Sequence, residues 1–333
     1  MTQAAAVAQR KAPRRRRRFS VSRCVAVLFV LVGVFVPLIA NNVPLVARVS
    51  GQWSFPALAD FIGPPPPGPN DLSWKQWWSR LPANGDFGIM PPWSYGPGET
   101  NDALFGAGPS IAHPLGNDDS GRDLLARLLY GTRTALGIGA LAVGLAAFLG
   151  TLLGALAGYR RGIVDVLVLR LIEVFLCFPS LLFLLFAAAF FGASWIGLVL
   201  VMASLFWTSF ARIVRGELLA LRERDFVLVA RGLGVSERRI LWRHLMPLIK
   251  SQIGVTAAFC MASAIVAEST PSFLGLGLGS QSSSWGSTLR KGSEFAHLGA
   301  WHLWFFPALV IIAVVRCCHV LADQLRGRGV AVG

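Results

Sequence analysis

The sequence predicts an all-α membrane protein that crosses the bilayer several times. Of its 333 residues, 54% are hydrophobic and only 14% are charged, and the mean hydropathy of +0.58 lies well above that of soluble domains. A helix needs about 20 apolar residues to span a bilayer, and six runs of roughly that length predict about six transmembrane helices. The runs cover 24–40, 135–158, 171–191, 195–210, 253–267 and 303–315, and the fifth can extend back over 248–252.

The first run follows a basic tail over 1–23, in which positions 14–18 are all arginine. A basic stretch before an apolar run is also typical of a cleaved secretory or twin-arginine signal. No clear small-x-small cleavage site precedes residue 41, so we expect 24–40 to be an uncleaved anchor. Further along, only residues 192–194 separate the third run from the fourth, which predicts a tight hairpin.

Lysine and arginine set the expected orientation. With the amino terminus inside, the inner segments hold most of the 31 lysines and arginines but fewer than half of the 17 acidic residues. Because positive residues stay on the cytoplasmic side, we expect both termini in the cytoplasm. The net charge of +14 is then a topology signal, and we expect no nucleic-acid partner.

The region 41–134 contains many prolines, glycines and tryptophans, including "GPPPPGPN" and "WKQWW". Proline confines a chain to extended or turn conformations. We therefore expect an outer loop with little regular structure as far as about residue 112. Its tryptophans are expected to anchor the loop at the membrane interface, with contact to a partner as the alternative.

No catalytic motif is present. None of the four lysines follows a glycine, which excludes a phosphate loop, and neither GxSxG nor HExxH occurs. Cysteine and histidine spacings predict no metal site. Asp165, Glu173 and Glu268 lie near predicted span ends. An ion-coupled secondary transporter, which needs ionisable groups at mid-membrane, therefore has weak support.

A basic stretch with helical spacing, "VARGLGVSERRILWRHLMP", lies between the fourth and fifth runs. Its pattern predicts two short helices that are broken at Gly234, with Ser236 capping the second and Pro247 ending it. Such an element could lie on lipid headgroups or dock into a partner's groove. The apolar face of the first helix would consist of Phe226, Val229, Ala230 and Leu233, and that of the second of Ile240, Leu241, His244 and Leu245.

Three glycines, Gly150, Gly154 and Gly158, lie on one face of the second run. Small residues at this spacing allow two helices to approach closely. We expect them to pack against another span, with a lining of the solute path as the alternative. At the inner end of the third run, Arg170 and Glu173 are one turn apart and could form an ion pair.

The stretch "VLVARGLGVSERRILWRHLMP" resembles the coupling loop of ABC importer permeases. Positions 228–230 match the family's Glu-Ala-Ala triplet, although Leu228 stands where the family usually has Glu. The resemblance assigns ATPase coupling to Leu228, Val229, Ala230, Gly234, Ser236, His244, Met246 and Pro247.

Other motifs are similar to the second permease of dipeptide, oligopeptide and nickel importers. They are "HPLGNDDSGRDLLARLLYGTRTAL" at 113–136, "ESTPSFLGLG" at 268–277, "SSWG" at 283–286 and "ADQLRG" at 322–327. The segment "IMPPWSYGPGETNDALFGAGPS" also resembles the Yej-type oligopeptide and microcin subgroup. The first motif is expected to cap a helix at the outer face, with contact to a solute-delivering protein as the alternative. Its signature residues are His113, Gly116, Asp118, Asp119, Gly121, Arg122 and Asp123.

The resemblance implies a type I ABC permease fold in a bacterial inner membrane. It implies a basic tail over 1–23, an anchor over 24–40, a periplasmic region over 41–134, and a core of five spans over 135–333 with a coupling loop at 222–250. The expected partners are a homologous permease, two ATPases that hold ATP and magnesium, a periplasmic solute-binding protein and lipid. This chain would hold no cofactor and do no catalysis. Peptides are the expected solute, with nickel or another small solute as the alternative.

Overall fold

The computed structural model describes residues 12–61, 63, 66–69, 72–81, 86–192, 194–279 and 282–329. The predicted basic tail lies outside the described residues as far as residue 11. Helices dominate the described part, as predicted. They are α1 (Ala12–Ile39), α2 (Pro56–Ala59), α3 (Trp74–Ser79), α4 (Leu124–Arg160), α5 (Ile163–Cys177), α6 (Ser180–Phe191), α7 (Trp195–Leu221), α8 (Asp225–Gly232), α9 (Glu237–Phe273), α10 (Trp285–Glu294) and α11 (His302–Gly329).

Four helices of the described chain, α4, α7, α9 and α11, are long and apolar enough to cross a membrane. The pair α5 and α6 forms a fifth span if it is counted as one broken helix. The apolar part of α1, Cys24–Ile39, is a shorter helix that does not qualify by length. Many large apolar side chains on these helices are exposed, as on Phe148, Phe186 and Phe190, which is the surface that a lipid environment requires.

The prediction that 171–191 forms one continuous span was wrong. The helix begins earlier, at Ile163, and breaks after Cys177, and the two halves meet at an angle of 77°. Pro179 explains the break, since proline excludes the preceding residue from helical angles. Phe178 accordingly has an extended backbone, with φ of −86° and ψ of 128°.

The hairpin between the third and fourth runs is present. Gly192 has a positive φ of 65°, which glycine adopts without strain. The hydroxyl of Ser194 then caps α7 by accepting a hydrogen bond from the backbone N–H of Gly197 at 3.3 Å.

The region 41–112 is more regular than predicted. It contains a three-stranded antiparallel sheet in the order β2-β1-β3, formed by β1 (Val46–Val49), β2 (Gln52–Ser54) and β3 (Phe87–Ile89). Trp74 and Trp77 are buried against Ala47 and Ala57, so the expectation that the tryptophans anchor at the interface was wrong for these two. Their apolar area provides this region with a small core of its own.

The chain divides into two compact units. Unit 1 comprises Met1–Val27, Ile138–Pro271 and Ile312–Gly333. Unit 2 comprises Leu28–Gly137 and Ser272–Ile311. The predicted coupling loop at 222–250, called the coupling segment below, lies in unit 1, and the signature that begins at His113 lies in unit 2.

Candidate coupling segment and associated clusters

The first helix of the coupling segment, α8, presents apolar side chains outward. Val229 is 61% exposed and Leu233 is 77% exposed, and Phe226 and Leu228 are also exposed. Of the predicted apolar face, only Ala230 packs against the core of unit 1. The residue that fixes α8 to that core is Val227, which is fully buried and which the sequence analysis did not single out.

The break at Gly234 is a Schellman motif. The N–H of Gly234 donates to the carbonyl of Arg231 at 2.9 Å, and the N–H of Val235 donates to the carbonyl of Ala230 at 3.0 Å. Gly234 has a φ of +76°, a left-handed conformation that glycine adopts at little cost. Across the turn, Arg231 Nε lies 2.9 Å from Glu237 Oε1, so an ion pair joins α8 to the start of α9.

Ser236 occupies the N-cap position of α9 with an extended backbone, but its side chain makes no capping hydrogen bond. Behind it, Ile240, Leu241 and Leu245 are buried. These side chains form one cluster with residues of α4 and α7, including Ala155, Val214 and Leu218. His244, which was expected on the same face, is exposed.

The prediction that Pro247 ends the second helix was wrong. The chain widens into a π-helical turn over Ile240–Leu245 and then continues as an α-helix through Phe273. The N–H of Met246 donates to the carbonyl of Leu241, five residues back. A π turn accommodates proline because the ring would otherwise clash with the carbonyl four residues earlier. Pro247 is exposed, and Met246 packs against the core of unit 1.

The three glycines of α4 lie against the backbone of α7. A Cβ atom at Gly150 would lie 2.3 Å from the carbonyl oxygen of Trp207, and one at Gly154 would lie 2.5 Å from that of Ala211. At Gly158, the nearest atom would be the carbonyl oxygen of Arg215 at 2.8 Å. All three glycines are buried. The row therefore forms the close packing surface between these two helices.

In unit 2, Asp123 organises the start of α4. Its Oδ1 accepts hydrogen bonds from the N–H of Ala126 at 2.7 Å and from the indole Nε1 of Trp93 at 2.9 Å. Its Oδ2 lies 2.7 Å from Nδ1 of His113. Asp123 is 2% exposed, so it caps the helix in the way expected and is not accessible to a solute-delivering protein.

A second carboxylate, Asp118, is fully buried and holds the preceding loop. It accepts from the backbone N–H of Arg122 at 3.0 Å and from its Nε at 2.8 Å. The Nζ of Lys291 lies 3.7 Å from Asp118 and also pairs with Asp119. Opposite charges that are hydrogen-bonded to one another offset the cost of burial.

Two positions of the signature require glycine for two reasons: the backbone φ is positive, and there is no room for a Cβ atom. Gly116 has a φ of +83°, and a Cβ there would lie 2.7 Å from the ring of His302. Gly121 has a φ of +67°, and a Cβ there would lie 1.8 Å from the carbonyl oxygen of Asn101.

The partners of this network were missed by the sequence analysis. Arg127, 1% exposed, lies 3.5 Å from Asp118, and Trp93 and Lys291 come from distant parts of the chain. Their sequence signal is weak. Arg127 lies within the quoted motif, four residues after Asp123, and Lys291 is one of only four lysines.

Two ion pairs lie near the ends of the predicted spans. Arg170 Nη1 lies 2.7 Å from Glu173 Oε2 at the exposed surface, as the spacing predicts. Asp165 Oδ2 accepts from Arg215 Nη2 at 2.8 Å. Surface pairs of this kind contribute little stability, but they neutralise charge beside the lipid.

Comparison with known proteins places these features in a family. Residues 150–328, more than half of the chain, match the family described as "Binding-protein-dependent transport system inner membrane component". This range includes the glycine row and the whole coupling segment.

Individual relatives extend the match towards the amino terminus. The glutathione transport system permease protein of Pectobacterium atrosepticum is 36% identical over 66% of this chain and 72% of its own length. The dipeptide transport system permease protein of Alkalihalophilus pseudofirmus is 34% identical over 68% of this chain and 75% of its own. The oligopeptide transport system permease protein of Haemophilus influenzae is 34% identical over 68% of this chain and 74% of its own length.

A solved structure of the MetNI methionine ABC transporter in inward-facing conformations matches 60% of this chain and 95% of that chain, with 14% identity and a TM-score of 0.49. The family match and the permease relatives describe transport components rather than catalytic ones. The chain therefore belongs to the family of binding-protein-dependent transport system inner membrane components and is a permease subunit of an ABC importer.

Proposed function

We propose that this permease imports peptides or peptide-like solutes, and that it forms one half of a translocation path beside a homologous permease. The names of its relatives support the choice of solute, since they describe transport of dipeptides, oligopeptides and glutathione. A periplasmic solute-binding protein delivers the solute. The chain lies in a bacterial inner membrane with both termini in the cytoplasm.

The exposed apolar face of α8 carries the mechanical part of the proposal. Val229 and Leu233 are 61% and 77% exposed, yet the buried side chain of Val227 and the Schellman turn hold their helix in place. A rigid helix that presents apolar side chains to water suits a partner's groove. We assign that groove to a separate ATPase subunit, which binds ATP and magnesium. The complex would contain two such subunits.

Packing explains how force from the ATPase would reach the spans. Leu245 and Ile240, close to the docking face, are fully buried in the cluster that includes Val214 and Leu218 of α7. A tightly packed cluster transmits displacement instead of absorbing it. Closure of the ATPases would therefore move α7 and α9 with the coupling segment, and the path would open alternately to each side.

The docking proposal is tested by Val229→Asp, with the ATPase co-purified from cells and solute uptake measured. A charge on an apolar docking face should abolish both ATPase retention and solute uptake, while the chain still accumulates in the membrane because the Val229 side chain is largely exposed. The matched control is Ile163→Asp, which places the same charge at a position of unit 1 that is 79% exposed. Normal ATPase retention by Val229→Asp would contradict the proposal and favour plain headgroup binding.

The solute is tested by purifying the complex together with its binding protein and identifying the bound molecule by mass spectrometry. Peptides are expected. A bound metal ion or another small solute would overturn the peptide assignment without affecting the coupling mechanism.

A further inference from the structure

Unit 1 contains a strongly basic cavity of about 780 Å³ between the coupling segment and the end of α4. Its charged lining consists of four arginines and one glutamate: Arg160, Arg222, Arg231, Arg238 and Glu237. The cavity is therefore positively charged, and an anion of matching size is the expected occupant.

Two of the four arginines have protein partners. Arg222 donates to the backbone carbonyl of Tyr159 at 2.8 Å, and Arg231 pairs with Glu237. Burial lowers the pKa of Arg222 below its ordinary value, and the neighbouring charges of Arg161 and Arg231 lower it further. The carboxylates of Glu237 and Glu223 offset part of this crowding of cations, and a further negative charge would be favourable there.

The other two arginines, Arg160 and Arg238, are exposed and form no ion pair within the part of the chain that the structure describes. Arg160 ends α4, where the helix dipole favours a cation. Arg238 has no such reason, because it lies in the first turn of α9, where the dipole disfavours a positive charge. An anion between them would stabilise both.

Apart from Tyr159, whose hydroxyl donates to Glu237, the rest of the lining is apolar and includes Leu156, Leu241 and Trp242. Leu156 lies one turn before the end of α4, a candidate membrane span, and Trp242 is 47% exposed. Tryptophan is enriched at the headgroup level of membranes. The cavity thus combines cations for a phosphate with an apolar wall at the end of a span, which is the pattern of a basic phospholipid pocket.

We propose that this cavity binds the phosphate of an anionic phospholipid in the inner leaflet, with Arg160 and Arg238 as the principal ligands and Leu156 and Trp242 against the acyl chains. The site differs from the ATPase docking face, since neither Val229 nor Leu233 lines it. This inference goes beyond the proposed function. It rests on the proposed function only for the orientation in which the coupling segment faces the cytoplasm.

The test is native mass spectrometry of the full chain after purification from nanodiscs of phosphatidylethanolamine and phosphatidylglycerol. The wild type should retain one phosphatidylglycerol. The double variant Arg160→Gln with Arg238→Gln should retain it about tenfold less, since each cation near a membrane surface contributes appreciably to anionic lipid binding. The pair Arg160→Lys with Arg238→Lys should keep most of the binding, because it keeps the charge.

The matched control is Arg239→Gln with Arg243→Gln, which removes the same charge from exposed arginines of the same segment that do not line the cavity. Equal loss in the control, or equal retention of both lipids by the wild type, would overturn the proposal. Two further outcomes would also overturn it: displacement of the lipid by millimolar inorganic phosphate alone, or loss of the lipid whenever the ATPase is bound. Lipid retention does not require transport, so its failure is distinct from failure of the proposed function.

Discussion

Glycines in α4 differ in what surrounds them, although the helix is continuous. Gly154 touches the backbone of Ala211 so closely that a Cβ would lie 2.5 Å from its carbonyl oxygen, whereas a Cβ at Gly144 would meet nothing within 4 Å. A methyl group against backbone cannot be relieved by a side-chain rotation. One of the two helices must then move.

Gly154→Ala is therefore expected to destabilise the protein by about 1–3 kcal/mol, because it forces α4 away from α7. Gly144→Ala should be neutral or slightly stabilising, since alanine favours the helix by about 1 kcal/mol over glycine. Thermal unfolding of the two variants in detergent measures the difference. Equal melting temperatures would show that α4 and α7 are not in this close contact.

Gly234 presents the opposite case, since a Cβ there meets no atom within 4 Å but φ is +76°. Gly234→Ala should cost about 1–2 kcal/mol from backbone strain alone, and Gly234→Asn should cost less because asparagine tolerates this conformation. The loss of solute uptake should be largest for Gly234→Val, because a β-branched side chain is least tolerated at positive φ, smaller for Gly234→Ala and smallest for Gly234→Asn. Gly232→Ala, in α8 where the backbone is helical, is the control. If solute uptake by the variants did not follow this order, the Schellman turn would not be needed for coupling.

At the scale of the element, the sheet and α3 form a folded body where a loop was predicted. Trp77 is 3% exposed, and its indole Nε1 donates to Asp86 at 3.3 Å. Trp77→Ala should destabilise this region by about 3–5 kcal/mol. Trp53→Ala should have little effect, since Trp53 is 58% exposed. Limited proteolysis between residues 41 and 112 distinguishes the two variants, and equal protease resistance would contradict a core around Trp77.

Apolar runs predicted where the helices lie but not where they bend. An apolar run must be long enough to cross the bilayer, so the spans could be located from the lengths of the apolar runs. A bend depends on single residues whose effect is local. Pro179 separates α5 from α6, whereas Pro247 only distorts α9, because the chain before Pro247 can widen into a π turn. Spacing around a proline does not show which of these outcomes follows.

The site shows the same division between local and distant information. A turn at Gly234, and helix capping by the polar cluster that includes Asp123, could be predicted from neighbouring residues alone. The partners Trp93 and Lys291 could not, because contacts across many residues leave no periodic trace in one sequence. Val227 was missed for another reason. It interrupts the apolar spacing of α8, yet it is the residue that is buried.

For the whole molecule, the distribution of charge predicts which surface faces the cytoplasm. The coupling segment carries Arg231, Arg238, Arg239 and Arg243, and positive residues near spans remain inside. The region around the sheet should then lie on the opposite side of the membrane. The family match supports an inner-membrane location.

The orientation of the chain in the membrane can be measured by labelling single cysteines in cells. The background for this experiment is a variant in which the five native cysteines are replaced by alanine. Ser236→Cys, on the exposed turn of the coupling segment, should react with a membrane-impermeant maleimide only after the inner membrane is opened. Phe105→Cys, at a position that is 57% exposed in unit 2, should react in cells whose outer membrane alone is permeable. Both sites are accessible, so a difference between them reports sidedness rather than burial. Reaction of Ser236→Cys in cells with an intact inner membrane would invert the topology and separate α8 from any cytoplasmic ATPase.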